Sequence, residues 1–172
     1  EAVALYDIHL LRRPGAERDY ADEVVAAAAQ RFAAMSPAEA AQLERTIIAG
    51  LPGAEESFTS AELLRAIDGY RDCGPDRLRE NLLAFLAAVC PVADELGIRL
   101  VVHPDDPPFP IFGLPRVVST EADLEQLFAR VPNPSNGLCF CTGSLGARAD
   151  NDLPGIVGRL GERIGFVHLR SV

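Results

Sequence analysis

Residues 99–116 read RLVVHPDDPPFPIFGLPR. Leu100-Val101-Val102 is an apolar run that suits a buried strand and is too short for an independent helix. His103 follows, and four prolines, two aspartates and Phe109 then fill residues 104–110. Each proline ring fixes φ and removes a backbone donor, so neither strand nor helix continues through Pro104, Pro107, Pro108 and Pro110. The stretch therefore predicts a buried strand that ends in a stiff His-Pro-Asp-Asp loop. In a parallel α/β sheet or barrel, active sites are built at that end of the strands.

Downstream, the same pattern recurs. The sequence predicts a helix capped by Ser119 or Thr120 and running to Arg130, then a turn-rich connector over 131–137. A strand over Leu138–Thr142 (LCFCT), a helix over about 151–160 and a last strand over Ile164–Leu169 complete regular βα units over about 98–172. Strands alternating with helices of about ten residues imply a parallel sheet with right-handed crossovers.

Upstream, Val3–Leu11 (VALYDIHLL) reads as a first strand, closed by Pro14-Gly15. Between it and Leu100 the chain reads as helical, an elaboration over about 19–97 inserted between the first two strands. Its signals are an alanine-rich stretch over 19–35 and two capping boxes, Ser36-Pro37-Ala38-Glu39 and Thr59-Ser60-Ala61-Glu62. Leu51-Pro52-Gly53 reads as a break. A long amphipathic helix over 76–96 carries Pro91 inside it and Gly97 as its stop.

A chain of 172 residues with 48% hydrophobic content supports one sizeable core, hence a single domain over 1–172. The formal net charge of −9, from 16 basic and 25 acidic side chains, argues against a nucleic-acid partner, because phosphate binding relies on clustered Lys and Arg. No apolar run approaches the roughly 18 residues of a membrane span, and no basic-then-apolar leader opens the chain. Four cysteines (Cys73, Cys90, Cys139 and Cys141) do not make a disulfide scaffold, so the expected setting is the reducing cytoplasm. Glu1 is not a Met, and Val172 falls just past a strand-like apolar run, a combination that predicts a piece of a longer polypeptide.

Three predicted strands end in a metal-ligand type: His103, Cys141 and His168. In a barrel such ends converge on one face, where residues distant in sequence can meet around one ion. Imidazole and thiolate suit Zn, Fe, Mn or Co to differing degrees. Taken singly, a His near a strand end is more often a hydrogen-bonded residue and a Cys in LCFCT a buried apolar group; the shared position favours metal. Cys139 lies on the same strand face as Cys141, one layer deeper, and reads as a core filler. Cys73 and Cys90 read as structural residues on helices, and His9 as a core or supporting residue. Asp105 either supports the site or binds substrate hydroxyls, or else caps a turn. In GARADND, Arg148 and Asn151 read either as part of a helix start or as a patch for a polyhydroxy acid. Arg148 and Arg170 are equally good clamps for a carboxylate.

HPDDPPFPIFGLPRVVST, NGLCFCTGSLGARADNDLP, IGFVHLR and LYDIHLLRRPGA together resemble the D-mannonate dehydratase family, along essentially the whole chain. The resemblance implies an α/β fold, here a partial (β/α)8 TIM barrel of the xylose-isomerase-like kind. It implies a lyase of hexuronate breakdown that removes water from D-mannonate to give 2-dehydro-3-deoxy-D-gluconate with Mn²⁺ or Fe²⁺. The family's metal ligands fall on His103, Cys141 and His168. Its fourth ligand, an aspartate, and the His and Tyr of its acid/base machinery fall beyond Val172, so the catalytic acid and base are not assigned here. Substrate contacts are expected from Asp105, Arg148, Asn151, Arg170 and His9. A homo-oligomer is compatible with the sequence. The competing expectations are a non-catalytic barrel fragment, a metal-binding module that needs a partner chain, and a sugar-acid isomerase on the same barrel.

Overall fold

The computed structural model describes residues 1–50 and 59–171. They form two compact units, one of residues 1–72 with 112–114 and one of 73–111 with 115–172. The expected break at Leu51-Pro52-Gly53 lies outside the described residues.

The second unit holds a three-stranded sheet, β1 (Leu100–Val102), β2 (Asn136–Cys141) and β3 (Ile164–His168), in the order β1-β2-β3. Both pairings are parallel, with Val102 opposite Leu138 and Cys141 opposite His168. The crossovers are helical: α6 (Glu121–Arg130) joins β1 to β2, and α7 (Thr142–Gly146) with α8 (Leu153–Leu160) joins β2 to β3. The βα units expected over 98–172 are thus present. All six residues of β2 are buried, as a strand flanked by two partners requires, while β3 is largely exposed beyond Ile164.

α5 (Pro75–Leu96) lies over this sheet with α6. Leu83, Leu86 and Cys90 of α5, Leu124, Leu127 and Phe128 of α6, and Leu138 and Phe140 of β2 belong to one buried core. Those leucines recur at helical spacing, which explains why both segments fold as helices with one face inward. α5 continues through Pro91 and ends at Gly97, whose φ of 66° is left-handed and favours glycine. Thr120 starts α6 with a complete capping box: its hydroxyl accepts from the Asp123 N–H, and the Asp123 carboxylate accepts from the Thr120 N–H at 3.0 Å. Arg79 of α5 pairs with the same Asp123 at 3.2 Å, so the cap also ties the two helices together.

Among the described residues, the regular elements of the first unit are helical and include α2 (Asp22–Ala33), α3 (Pro37–Ala49) and α4 (Ser60–Asp68). Both expected capping boxes are formed, at Ser36 with Glu39 and at Thr59 with Glu62. The strand expected over Val3–Leu11 is not formed: α1 (Ala2–Leu5) runs into a π-helical turn over Tyr6–Leu10. Among the described residues the sheet has no strand before β1, so the helical region does not lie between two strands as expected. Ala4, Leu5, Tyr6 and Asp7 are all buried in succession, which the two-sided alternation of a surface strand does not allow. Ala4 and Leu5 pack with Ala28 of α2, supported by Val24 and Phe32, so tertiary burial outweighs the β preference of the aromatic and branched residues. Cys73 also departs from expectation, lying in the turn before α5 and not on a helix.

Asp7 is the electrostatic centre of this unit. It is fully buried and takes two hydrogen bonds from Arg13, at 2.9 and 2.7 Å, and one from the Tyr20 hydroxyl at 2.8 Å. Burial, then the Asp7 carboxylate, push the Tyr20 phenol up, which keeps it a hydrogen-bond donor at all ordinary pH values. Asp7→Ala leaves a nearly buried guanidinium short of its main partner. The expected loss is about 3 kcal/mol, read as a lowered urea midpoint, whereas Thr120→Ala at the α6 cap is expected to cost only about 1 kcal/mol.

Candidate metal centre

The three strands of the second unit deliver His103, Cys141 and His168 to one end of the sheet. His103 directly follows β1, Cys141 closes β2 and His168 closes β3. One donor atom from each residue can be chosen such that all lie within 4.8 Å of one another. Cys141 Sγ is 3.5 Å from His168 Nδ1, which in turn is 3.5 Å from His103 Nε2. Two donors bound to one ion at 2.0–2.3 Å are themselves about 3–4 Å apart, so these separations suit a shared cation.

The protonation of His103 follows from its neighbour. Its Nδ1 lies 2.7 Å from the Pro104 carbonyl oxygen, which can only accept, so Nδ1 carries the proton and donates. In the neutral ring the lone pair then lies on Nε2, the nitrogen 3.5 Å from His168 Nδ1. Backbone carbonyls orient metal-binding imidazoles in this way. Pro104 is itself fully buried, so the carbonyl that fixes the ring is held by a rigid residue.

Cys141 is fully buried, yet its thiol is acidic. Burial pushes it up, but hydrogen bonds from Ser144 and Gly143 and the neighbouring His103 outweigh that and bring it to about 6. The Ser144 N–H donates to Sγ at 3.4 Å, because β2 turns directly into α7 and the first turn of that helix presents its free N–H groups to the sulfur. A thiolate donor with a neutral imidazole donor is a metal-binding combination and also the precondition for one, since bound ligands are deprotonated. Cys139, one layer deeper, is buried and its thiol is pushed up by burial, then by Cys141, as a core residue's would be.

The other candidate residues are engaged within the fold. Asp105 accepts from the Val118 N–H at 2.7 Å and from the Ser119 hydroxyl at 2.9 Å, pinning the proline loop to the segment that leads into α6. Asn151 accepts from the Glu121 N–H at 3.3 Å and donates to the Ser119 and Leu145 carbonyls, both at 3.0 Å. Arg148 donates to Asp150 and to the Pro108 carbonyl at 3.1 Å. Arg170 stands beside Cys141 and bonds Asp106 and, at 3.1 Å, the Ser144 hydroxyl. His9 belongs to the first unit, where it stacks on Phe32 with ring centroids 4.8 Å apart. Reading the sequence for contact-making residues missed Ser144, Thr142 and Pro104; the only signal for them was adjacency to Cys141 and His103.

A parallel βα sheet whose successive strand ends carry His, Cys and His, with donor atoms within 4.8 Å of one another, defines an α/β protein with a candidate metal site. Residues 13–172 match the family model of D-mannonate dehydratase (UxuA), and the chain belongs to that family. It is 52% identical over 169 residues to mannonate dehydratase 1 of Agrobacterium fabrum, covering 98% of this chain and 42% of that protein. It is 50% identical over 169 residues to the mannonate dehydratase of Saccharophagus degradans, covering 98% of this chain and 43% of that protein. The chain thus spans less than half the length of these relatives. The crystal structure of mannonate dehydratase from Streptococcus suis serotype 2 superposes with a TM-score of 0.57 at 33% identity, over 59% of this chain and 30% of that one.

Removing the Asp105 carboxylate leaves the Val118 N–H and the Ser119 hydroxyl without their acceptor. Asp105→Ala is expected to destabilise the protein by about 1–3 kcal/mol, seen as a lower melting temperature, with Asp105→Asn closer to the parent because it retains an acceptor oxygen.

Proposed function

We propose that this chain forms part of a metal-dependent hydro-lyase that converts D-mannonate to 2-dehydro-3-deoxy-D-gluconate. On this reading residues 1–172 belong to one (β/α)8 barrel domain, elaborated by the helices over about 19–97. The protein works in the cytoplasm in hexuronate breakdown. The observation that carries the reading is the convergence of His103, Cys141 and His168 donor atoms within 4.8 Å at the ends of three successive parallel strands.

The reaction removes a proton from the carbon beside a carboxylate and a hydroxyl from the next carbon. A divalent cation, Mn²⁺ or Fe²⁺, would supply Lewis-acid stabilisation of the negative charge that develops on the carboxylate. His103, Cys141 and His168 would hold it, each through a lone pair: Nε2 of His103, the thiolate of Cys141 and a ring nitrogen of His168. His and Cys donors accept several first-row metals, which leaves metal choice to geometry and supply. The Pro104 carbonyl keeps the His103 proton on Nδ1 and so keeps Nε2 available. The Ser144 N–H stabilises the Cys141 thiolate in a buried place where it would otherwise take a proton. Among the polar candidates for substrate, Arg170 stands beside this centre, while Asp105 and Asn151 serve by holding the loops around it.

Two measurements test the reading. A full-length enzyme containing these residues, incubated with D-mannonate, is expected to form a 2-keto-3-deoxy acid, to stop when the metal is chelated and to recover with added Mn²⁺ or Fe²⁺; residues 1–172 alone, which span less than half of the relatives' length, are not expected to turn over. His103→Ala and Cys141→Ala are each expected to lower turnover by more than about a hundredfold, since loss of a direct donor exceeds the 10–100-fold cost of losing a supporting partner. Normal turnover in either variant would remove that residue from the metal centre.

A further inference from the structure

We propose that Arg170 is a positioning residue that clasps the three segments carrying the donor atoms, and that Gly143 lacks a side chain so that Arg170 can lie there. The inference rests on the reading of His103, Cys141 and His168 as metal donors.

Each donor is followed closely by a residue of the clasp. Asp106 comes three residues after His103, Ser144 three after Cys141, and Arg170 two after His168. A single guanidinium nitrogen of Arg170 donates both to the Asp106 carboxylate and to the Ser144 hydroxyl, the latter at 3.1 Å. The backbone of the same residue is locked as well. Its N–H donates to the Thr142 hydroxyl oxygen at 3.0 Å, and its carbonyl accepts from that hydroxyl at 2.7 Å. Arg170, past β3, is therefore bonded once to the segment past β1 and three times to the segment past β2.

Strand pairing alone sets where the Cα atoms of Cys141 and His168 lie. It does not fix the loop after His103 against the turn after Cys141, and donor atoms need placement to about half an ångström to share an ion. The clasp adds that constraint within two or three residues of each donor, closer to the donor atoms than the Arg148 bond to the Pro108 carbonyl. Its ion pair is exposed, and exposed pairs add little to global stability. Its effect is therefore expected in the geometry of the donors and not in the melting temperature.

Gly143 is the seat. It is buried, and a Cβ added there would overlap Nε and Cγ of Arg170 and lie 2.9 Å from its Cδ. The displaced group is a flexible side chain, so alanine at this position pushes Arg170 aside before it disturbs the backbone. Gly143→Ala and Arg170→Met thus remove the same interaction from opposite ends.

The test is a Co²⁺ titration of the metal-free protein, followed by calorimetry and by the thiolate-to-Co²⁺ absorption in the near ultraviolet. Arg170→Met and Gly143→Ala are each expected to weaken Co²⁺ binding by about tenfold, the size typical of a lost supporting partner. The double variant is expected to bind no more weakly than the worse single one, because both changes act through one guanidinium. Arg170→Lys, which keeps the charge opposite Asp106, is expected to recover part of the loss. Melting temperatures stay near the parent's. Should Gly143→Ala fold poorly, Arg170→Met and Asp106→Asn, both at exposed side chains, carry the test alone. Parental Co²⁺ affinity in Arg170→Met, or losses that multiply in the double variant, would overturn the clasp while leaving the donor set intact. Parental affinity in His103→Ala would instead overturn the metal reading on which the clasp rests.

Discussion

Parallel pairing of β2 with a neighbour on each side is the constraint from which the candidate metal centre follows. In a parallel ladder every strand ends in the same direction, so residues closing successive strands share one edge of the sheet. Cys141 lies opposite His168 in that register, and His103 directly follows the strand on the other side. A shift of one residue in β2 would turn Cys141 to the opposite face and bring Phe140 or Thr142 to the edge. The burial of all six β2 residues, with α5 and α6 packed over Leu138 and Phe140, holds the register in place.

The loops beyond the strands obey a second constraint. A loop with four prolines over 104–110 has few backbone donors of its own, so its order depends on side chains. Asp105 and Asn151 satisfy backbone groups around it, and Arg148 bonds the Pro108 carbonyl. Asp105, Arg148 and Asn151, which the sequence offers as a substrate patch, all bond groups of the chain itself in the structure. The same chemistry, carboxylate and amide beside a helix start, serves both purposes, and only the partner atoms tell them apart.

The first unit shows where local pattern and tertiary packing part. VALYDIHLL contains residues at home in a strand, and nothing inside the segment rules one out. Its conformation is decided from outside: Asp7 is drawn into a buried set with Arg13 and Tyr20, and Ala4 and Leu5 meet Ala28. Such partners lie 6 to more than 20 residues away, beyond the reach of periodicity. Cys73 is a smaller instance, placed by where α5 starts at Pro75.

Sequence alone determined much of the second unit. The cap of α6, the αL glycine at 97, the βα alternation and the three candidate donor residues are all written in local residue types, because caps, turns and strand burial are short-range physics. Tertiary structure alone decided three things. The strand register brought His103, Cys141 and His168 within reach of one point. The Pro104 carbonyl and the Ser144 N–H set which nitrogen of His103 is protonated and why a buried Cys141 is acidic. The path of Arg170 across Gly143 joined the three loops. Each depends on atoms brought together across the sheet, at distances that no spacing along the chain encodes.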